Sequence, residues 1–170
     1  MPETFKQYTD RLFEYLGKQD PIKIMKATPG KIERLVKGIS RKNLARSPAP
    51  GKWSVLEILC HLCDDEIAIG WRMRLMITRP GAPIASFEQT DWVRDFKYGK
   101  WNVADTLNLF RELRKNNLQM LRLISKDKFD KAHGIHEERG KETLSFFVKL
   151  NAGHDLNHLM QIRNILQSKL

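Results

Sequence analysis

Apolar residues recur along this chain at helical spacing almost throughout, and no stretch alternates over enough positions to argue for a sheet. The first segment, Thr4 to Leu16, sets Tyr8, Leu12, Tyr15 and Leu16 on one side and stops at Gly17, a common residue just past a helix end. A short helical turn is expected after Pro21. Thr28 then offers a capping oxygen with Pro29 at the first helical position, and Ile32, Leu35, Val36 and Ile39 form the stripe of the helix that follows. Ser47-Pro48-Ala49-Pro50-Gly51 reads as a linker.

Ser54 and Glu57 make a capping box, so a long helix starts there, and Pro80-Gly81 ends it. A short helix is expected from Glu88 to Tyr98. Asn102 caps the next long helix, whose core stripe is Val103, Leu107, Phe110, Leu113, Leu121 and Ile124. Ser125 to Gly140 is polar and carries two glycines, which predicts a plain connection before a last helix from Glu142 to about Gln167. The expected architecture is all-α: one domain over residues 1–170, a four-helix bundle with additional short helices in the connections.

Composition adds boundaries. Apolar residues make up 41% of the 170 and charged residues 29%, an ordinary globular balance able to bury one core. No apolar run approaches the roughly 20 residues that span a bilayer, and the first twenty residues are studded with charge, so no membrane role and a cytoplasmic location are expected. Cys60 and Cys63 lie three apart in one helix and cannot staple distant segments; reduced thiols are expected. The net charge is +10, and Arg34 to Lys52 holds six basic residues and no acidic one. Surface charge of this kind reports solubility and steering before it reports a partner, and no reading helix accompanies it, so nucleic acid is not the expected partner.

The chemistry concentrates in histidine. His154 and His158 are four apart on the last helix, within about 40° of each other on a face that also bears Phe147, Leu150, Gln161 and Ile165. Two imidazoles aimed into a core can grip one ion. The spacing matches the H-E-x-x-H zinc motif, but aspartate replaces the glutamate base, and the 12 residues after His158 contain no His, Asp or Glu to complete a ligand set. The third ligand therefore comes from earlier in the chain. His61 is the leading candidate, since its side of the second long helix carries Ser54, Glu57, Asp64, Asp65 and Arg72, a polar strip that is costly in a core unless paired or bound to an ion. A rival set joins Cys60 and Cys63 to the two later histidines as a closed structural zinc site; the thiols point at least about 100° from His61, so one ion takes one set or the other. His133 and His136 sit in the polar connection and are expected to be solvated.

The run from Pro50 through Trp53, Ser54, Glu57 and His61 to Glu66, followed by Gly153 through His154 and His158 to Ile162, resembles the DinB-like superfamily, the YfiT-type metal-dependent hydrolases. The likeness extends to Asp20-Pro21, Thr28-Pro29, Phe87 to Trp92 and Arg114. It implies a four-helix bundle, often a homodimer, with His61, His154 and His158 holding nickel or zinc. It also implies activities such as hydrolysis or thiol S-transfer with low-molecular-weight bacterial thiols. The two cysteines flanking His61 depart from the small apolar residues of that pattern.

Three neutral imidazoles leave a divalent ion its full charge and an open position, suited to activating water or a thiol. Asp65 and Gln161 are the expected supports of the ligands, by wheel geometry. Arg72, Arg74 and Arg114 are candidates to contact a small, anionic substrate. The alternative is a non-enzymatic module, in which metal only stabilises the bundle and the Arg34 to Lys52 strip binds nucleic acid or another polyanion independently of sequence.

Overall fold

The computed structural model describes residues 3–168. Thr4 opens α1 (Phe5–Leu16) through a capping box with Gln7, and Asp20 caps α2 (Pro21–Val36) by accepting from the Ile22 and Lys23 amides. A single turn, α3 (Arg41–Leu44), precedes the linker. The Ser54 box forms as expected: Ser54 Oγ accepts from the Glu57 amide at 3.3 Å, Glu57 Oε2 accepts from the Ser54 amide at 2.7 Å, and α4 runs Val55–Thr78. Strand β1 (Ala82–Ile84) and α5 (Gln89–Asp95) lead to Asn102, which caps α6 (Val103–Leu123). Then follow α7 (Lys126–Lys131), β2 (His133–His136), β3 (Gly140–Thr143) and α8 (Leu144–Gln167).

Four long helices close a ring: α2 packs on α8 and α6, and α4 packs on the same two. α1 lies against α8, close enough that a Cβ added at Gly153 would stand 2.6 Å from the Leu12 carbonyl oxygen. That contact admits only glycine, and it sits one residue before His154. A second such approach joins α4 to α6, where a Cβ at Gly70 would meet Asn117 Oδ1 at 2.5 Å. Leu12, Met25, Ile32, Leu56, Ile58, Phe110 and Ile162 are among the fully buried apolar residues. On α6, Phe110 and Leu121 are buried while Val103, Leu107 and Leu113 are only half-buried.

Two expectations need correction. The break at Thr28-Pro29 is not a helix start, because α2 passes straight through Pro29. Proline lacks the amide that would bond to the carbonyl four residues back, here Met25. That carbonyl instead accepts from Arg114 Nη1 at 2.7 Å, so the helix continues with its oxygen satisfied from α6. The second correction concerns Ser125 to Gly140, which folds into α7 and part of a small sheet, with β1 and β2 parallel and β2 and β3 antiparallel. Strands of three and four residues are too short for alternation to register.

Candidate metal centre

α4 delivers His61 and α8 delivers His154 and His158 to one point. Their Nε2 atoms converge: 3.2 Å separates His61 from His154, and 2.9 Å separates His158 from His154. Among the described residues this trio forms a group able to hold one metal ion. Imidazole nitrogens bound tetrahedrally at about 2.05 Å stand about 3.3 Å apart, close to the observed separations.

The outer nitrogens decide where the ring protons lie. His158 Nδ1 donates to Gln161 Oε1 at 2.9 Å, and His154 Nδ1 stands 3.2 Å from Asp65 Oδ2, near but not aligned as a hydrogen bond. The Gln161 bond holds the His158 proton on Nδ1 and turns its Nε2 lone pair inward. The three Nε2 atoms approach one another at 2.9 and 3.2 Å on neutral rings, a donor set that fits a divalent ion. Asp65 Oδ2 is also 3.5 Å from His61 Nε2, so one carboxylate oxygen borders two of the rings. Trp53 covers the His61 ring with centroids 4.9 Å apart, while His61 Nδ1 is buried without a hydrogen-bond partner.

Burial holds the rings neutral. It depresses His61 and His154 well below the ordinary imidazole value, with His158 adding to both, and lowers His158 to about 4 against the opposing Gln161 hydrogen bond. Neutral imidazole is the ligand form. Asp65 moves the other way: burial, then the charges of Glu66, Asp64 and Asp155, push its carboxyl well above the ordinary range, with Arg72 opposing.

A second polar cluster lies one residue along each helix. Arg114, 2% exposed, bonds to Asp155 through Nη1 and Nη2 at 2.6 and 2.9 Å and pairs with Glu66 at 2.8 Å. Asn117 Nδ2 donates to Glu66 Oε2 at 3.0 Å. Asp65-Glu66 on α4 and His154-Asp155 on α8 thus send one side chain to the histidine centre and the next to this clamp. Arg114 is therefore not a substrate contact: its guanidinium is enclosed and spent on carboxylates. Arg74 is likewise braced on Gly70 O and Asn117 Oδ1 at 2.8 and 3.0 Å, outside the histidine centre. Arg72 does reach the centre's surroundings, lining a cavity of about 300 Å³ that also exposes Asp65 and His154.

The cysteines stay out of the site. Cys60 Sγ lies 3.9 Å from Thr106 Oγ1 and Cys63 Sγ donates to Thr106 O at 3.4 Å, so both thiols face α6. Burial pushes Cys60 up to about 12 and raises Cys63 further still, which keeps both thiols protonated. The rival Cys₂His₂ set is not assembled.

Sequence reasoning missed three residues on the cavity wall: Asn151, His136 and Arg139. Asn151 had a signal, lying three residues before His154 on the same face of α8. His136 had none. It was expected to be solvated, yet it is 1% exposed because β2 tucks it beneath the hairpin, where its Nδ1 accepts from the Glu138 amide at 3.2 Å.

A helical bundle with three inward imidazoles from two of its helices defines a class of proteins built round a histidine cluster. Within that class this chain belongs to the DinB superfamily, whose profile matches residues 24–162. It is similar to an Oceanobacillus iheyensis protein named "Putative metal-dependent hydrolase", 23% identical over 141 residues, covering 83% of this chain and 81% of the relative. A Bacillus cereus protein of the same name is 22% identical over 137 residues, covering 81% and 78%. Among solved structures, YfiT from Bacillus subtilis, described as a four-helix bundle of unusual topology, superposes with a TM-score of 0.81 at 19% identity over 97% of this chain and 89% of that one. The mycothiol-dependent maleylpyruvate isomerase superposes with a TM-score of 0.67 at 13% identity, over 88% and 62%. These last two likenesses are of fold. Among the described residues no helix is long and apolar enough to cross a membrane.

Proposed function

We propose that this protein is a metal-dependent enzyme in which His61, His154 and His158 hold one divalent transition ion, zinc or nickel, and that it carries out hydrolysis or thiol transfer on a small molecule. The observation that carries this reading is the convergence of three neutral Nε2 atoms at 2.9 and 3.2 Å. A divalent ion held by these three residues would supply Lewis acidity, bringing a bound water's pKa to near neutrality and a bound thiol to its thiolate form. The chain supplies the rest. Gln161 fixes the His158 tautomer, Trp53 shields His61, and Arg114 locks α4, α6 and α8 in register. Asp65 Oδ2 faces both the rings and the cavity, where it takes a proton from the entering nucleophile.

The names of the curated relatives favour hydrolysis. The resemblance to a mycothiol-dependent enzyme favours a thiol as the nucleophile. The test is elemental analysis of protein purified without added metal, then hydrolysis of activated esters or amides and conjugation of an electrophile to candidate thiols, each compared with His61→Ala. One ion per chain in the wild type, under a tenth in the variant, and loss of rate with the ion are expected. Equal rates would sink the reading. Binding to polyanions by the Arg34 to Lys52 strip is the second reading, and a salt titration tests it: affinity falling steeply with ionic strength would favour it.

A further inference from the structure

The cavity beside the histidines is walled by α1, α4, α8, the segment after β1 and the β2–β3 hairpin, and, besides His154 Nδ1 of the histidine centre, two of its buried groups lack partners. Asn151 is 3% exposed and its Nδ2 finds no acceptor among the described residues. His136 is 1% exposed, and because its Nδ1 already accepts from the Glu138 amide, the proton lies on Nε2, which also finds no acceptor. Buried donors left unpaired cost roughly 1–3 kcal/mol each, so two on one small cavity point to a ligand that supplies acceptors.

Charge narrows the ligand. Of the two guanidinium groups on the wall, Arg139 is spent on Glu142 at 2.7 and 3.2 Å. Arg72 gives the Ala85 carbonyl one hydrogen bond and lies over the Phe87 ring, keeping its other N–H groups. One cation is therefore offered; Asp65 is the one buried carboxyl on the wall, while Glu88 and Glu138 are exposed at its rim, where solvent screens them. A dianion is disfavoured there, whereas a carboxylate carries one charge and two acceptor oxygens. The rings of Phe5, Tyr8 and Phe87 supply an apolar wall for the rest of the molecule.

We propose that Asn151, His136 and Arg72 bind the carboxylate of a small organic acid whose remaining part faces the histidine centre, which makes such acids the substrate class. This rests on the histidine centre being where the reaction occurs. Benzoate serves as the probe, with benzamide and benzyl alcohol as neutral controls, by calorimetric titration of the full chain as purified and of His61→Ala. Benzoate is expected to bind at least tenfold more tightly than the neutral analogues to both proteins. Asn151→Leu and His136→Phe are each expected to lose at least tenfold in benzoate affinity. Asn151→Asp, nearly isosteric and so a control for folding, is expected to reject benzoate and accept benzamidine instead.

Unchanged benzoate affinity in the Asn151 variants, or inorganic phosphate binding as tightly as benzoate, would overturn the proposal. Benzoate binding lost in His61→Ala but untouched in the Asn151 variants would mean the carboxylate sits on the ion, which sinks this proposal and leaves the metal reading intact. Benzoate binding that depends on Asn151 in a protein that takes up no metal would do the reverse.

Discussion

Two buried polar clusters interleave between α4 and α8, and they differ in one respect. In the Arg114 clamp opposite charges meet: its terminal nitrogens reach Asp155, Glu66 or the Met25 carbonyl, and only Nε lacks a hydrogen-bond partner. The histidine centre is open, with three ring nitrogens facing one another and a cavity at their side. Buried charge matched by its opposite holds a fold in one arrangement, while buried donors and acceptors left facing a common point mark where something binds. Alternation by single residues, Asp65 then Glu66 and His154 then Asp155, lets the charge-matched cluster set the position of the open one.

That contrast can be broken at several places. The largest effect is expected at the clamp. Arg114→Met leaves Glu66 and Asp155 buried without their cation, costing about 3–5 kcal/mol of unfolding free energy in a denaturant titration. Adding Glu66→Gln and Asp155→Asn to that variant should recover part of the loss, and failure to recover any would mean that the clamp acts by packing and not by charge.

The histidine centre should respond to acid. His158 titrates near 4 in the folded chain against an ordinary 6.5, so the unfolded chain binds its proton first and stability falls as pH drops through that window. Relative to His158→Gln, the metal-free protein is expected to lose about 3 kcal/mol between pH 7 and pH 4. The comparison is made as a difference because Asp64, which burial raises to about 6, contributes with the opposite sign. Parallel curves for the two proteins would show that His158 is not held neutral.

Smaller effects should separate ligand from support. Gln161→Leu releases the His158 Nδ1 proton from its acceptor, and metal affinity measured by competition with a chelator should fall about 10- to 100-fold with the fold unchanged. The smallest effect concerns the bond that ties α6 to α2. In a Pro29→Ala background the Met25 carbonyl regains a helical donor, so Arg114→Met should cost about 1 kcal/mol less than in the parent. A coupling of zero in that double-mutant cycle would mean the Arg114 bond to Met25 contributes nothing.

The pair on α8 was legible because four residues make little more than one helical turn, so spacing alone puts His154 and His158 on one face. The same reasoning read the Ser54 box, the Asn102 cap and the support from Gln161, three residues from His158. It failed at Pro29, where a local rule says that a helix begins and an arginine 85 residues away in sequence lets it continue. It failed again at Arg114, since a lone arginine on a helix stripe does not say which carboxylates it will meet.

By itself, then, the sequence determined what is local: where helices start, which faces are apolar, and that two imidazoles share one of those faces. Tertiary structure alone decided between His61, the leading candidate, and the rival thiols by bringing His61 Nε2 to the pair from another helix, and it alone placed His136 on a three-stranded sheet that turns it inward. It also turned both cysteines toward α6. Those outcomes depend on how helices rotate and dock to bury their apolar stripes, a balance summed over the whole core that no short window of residues contains.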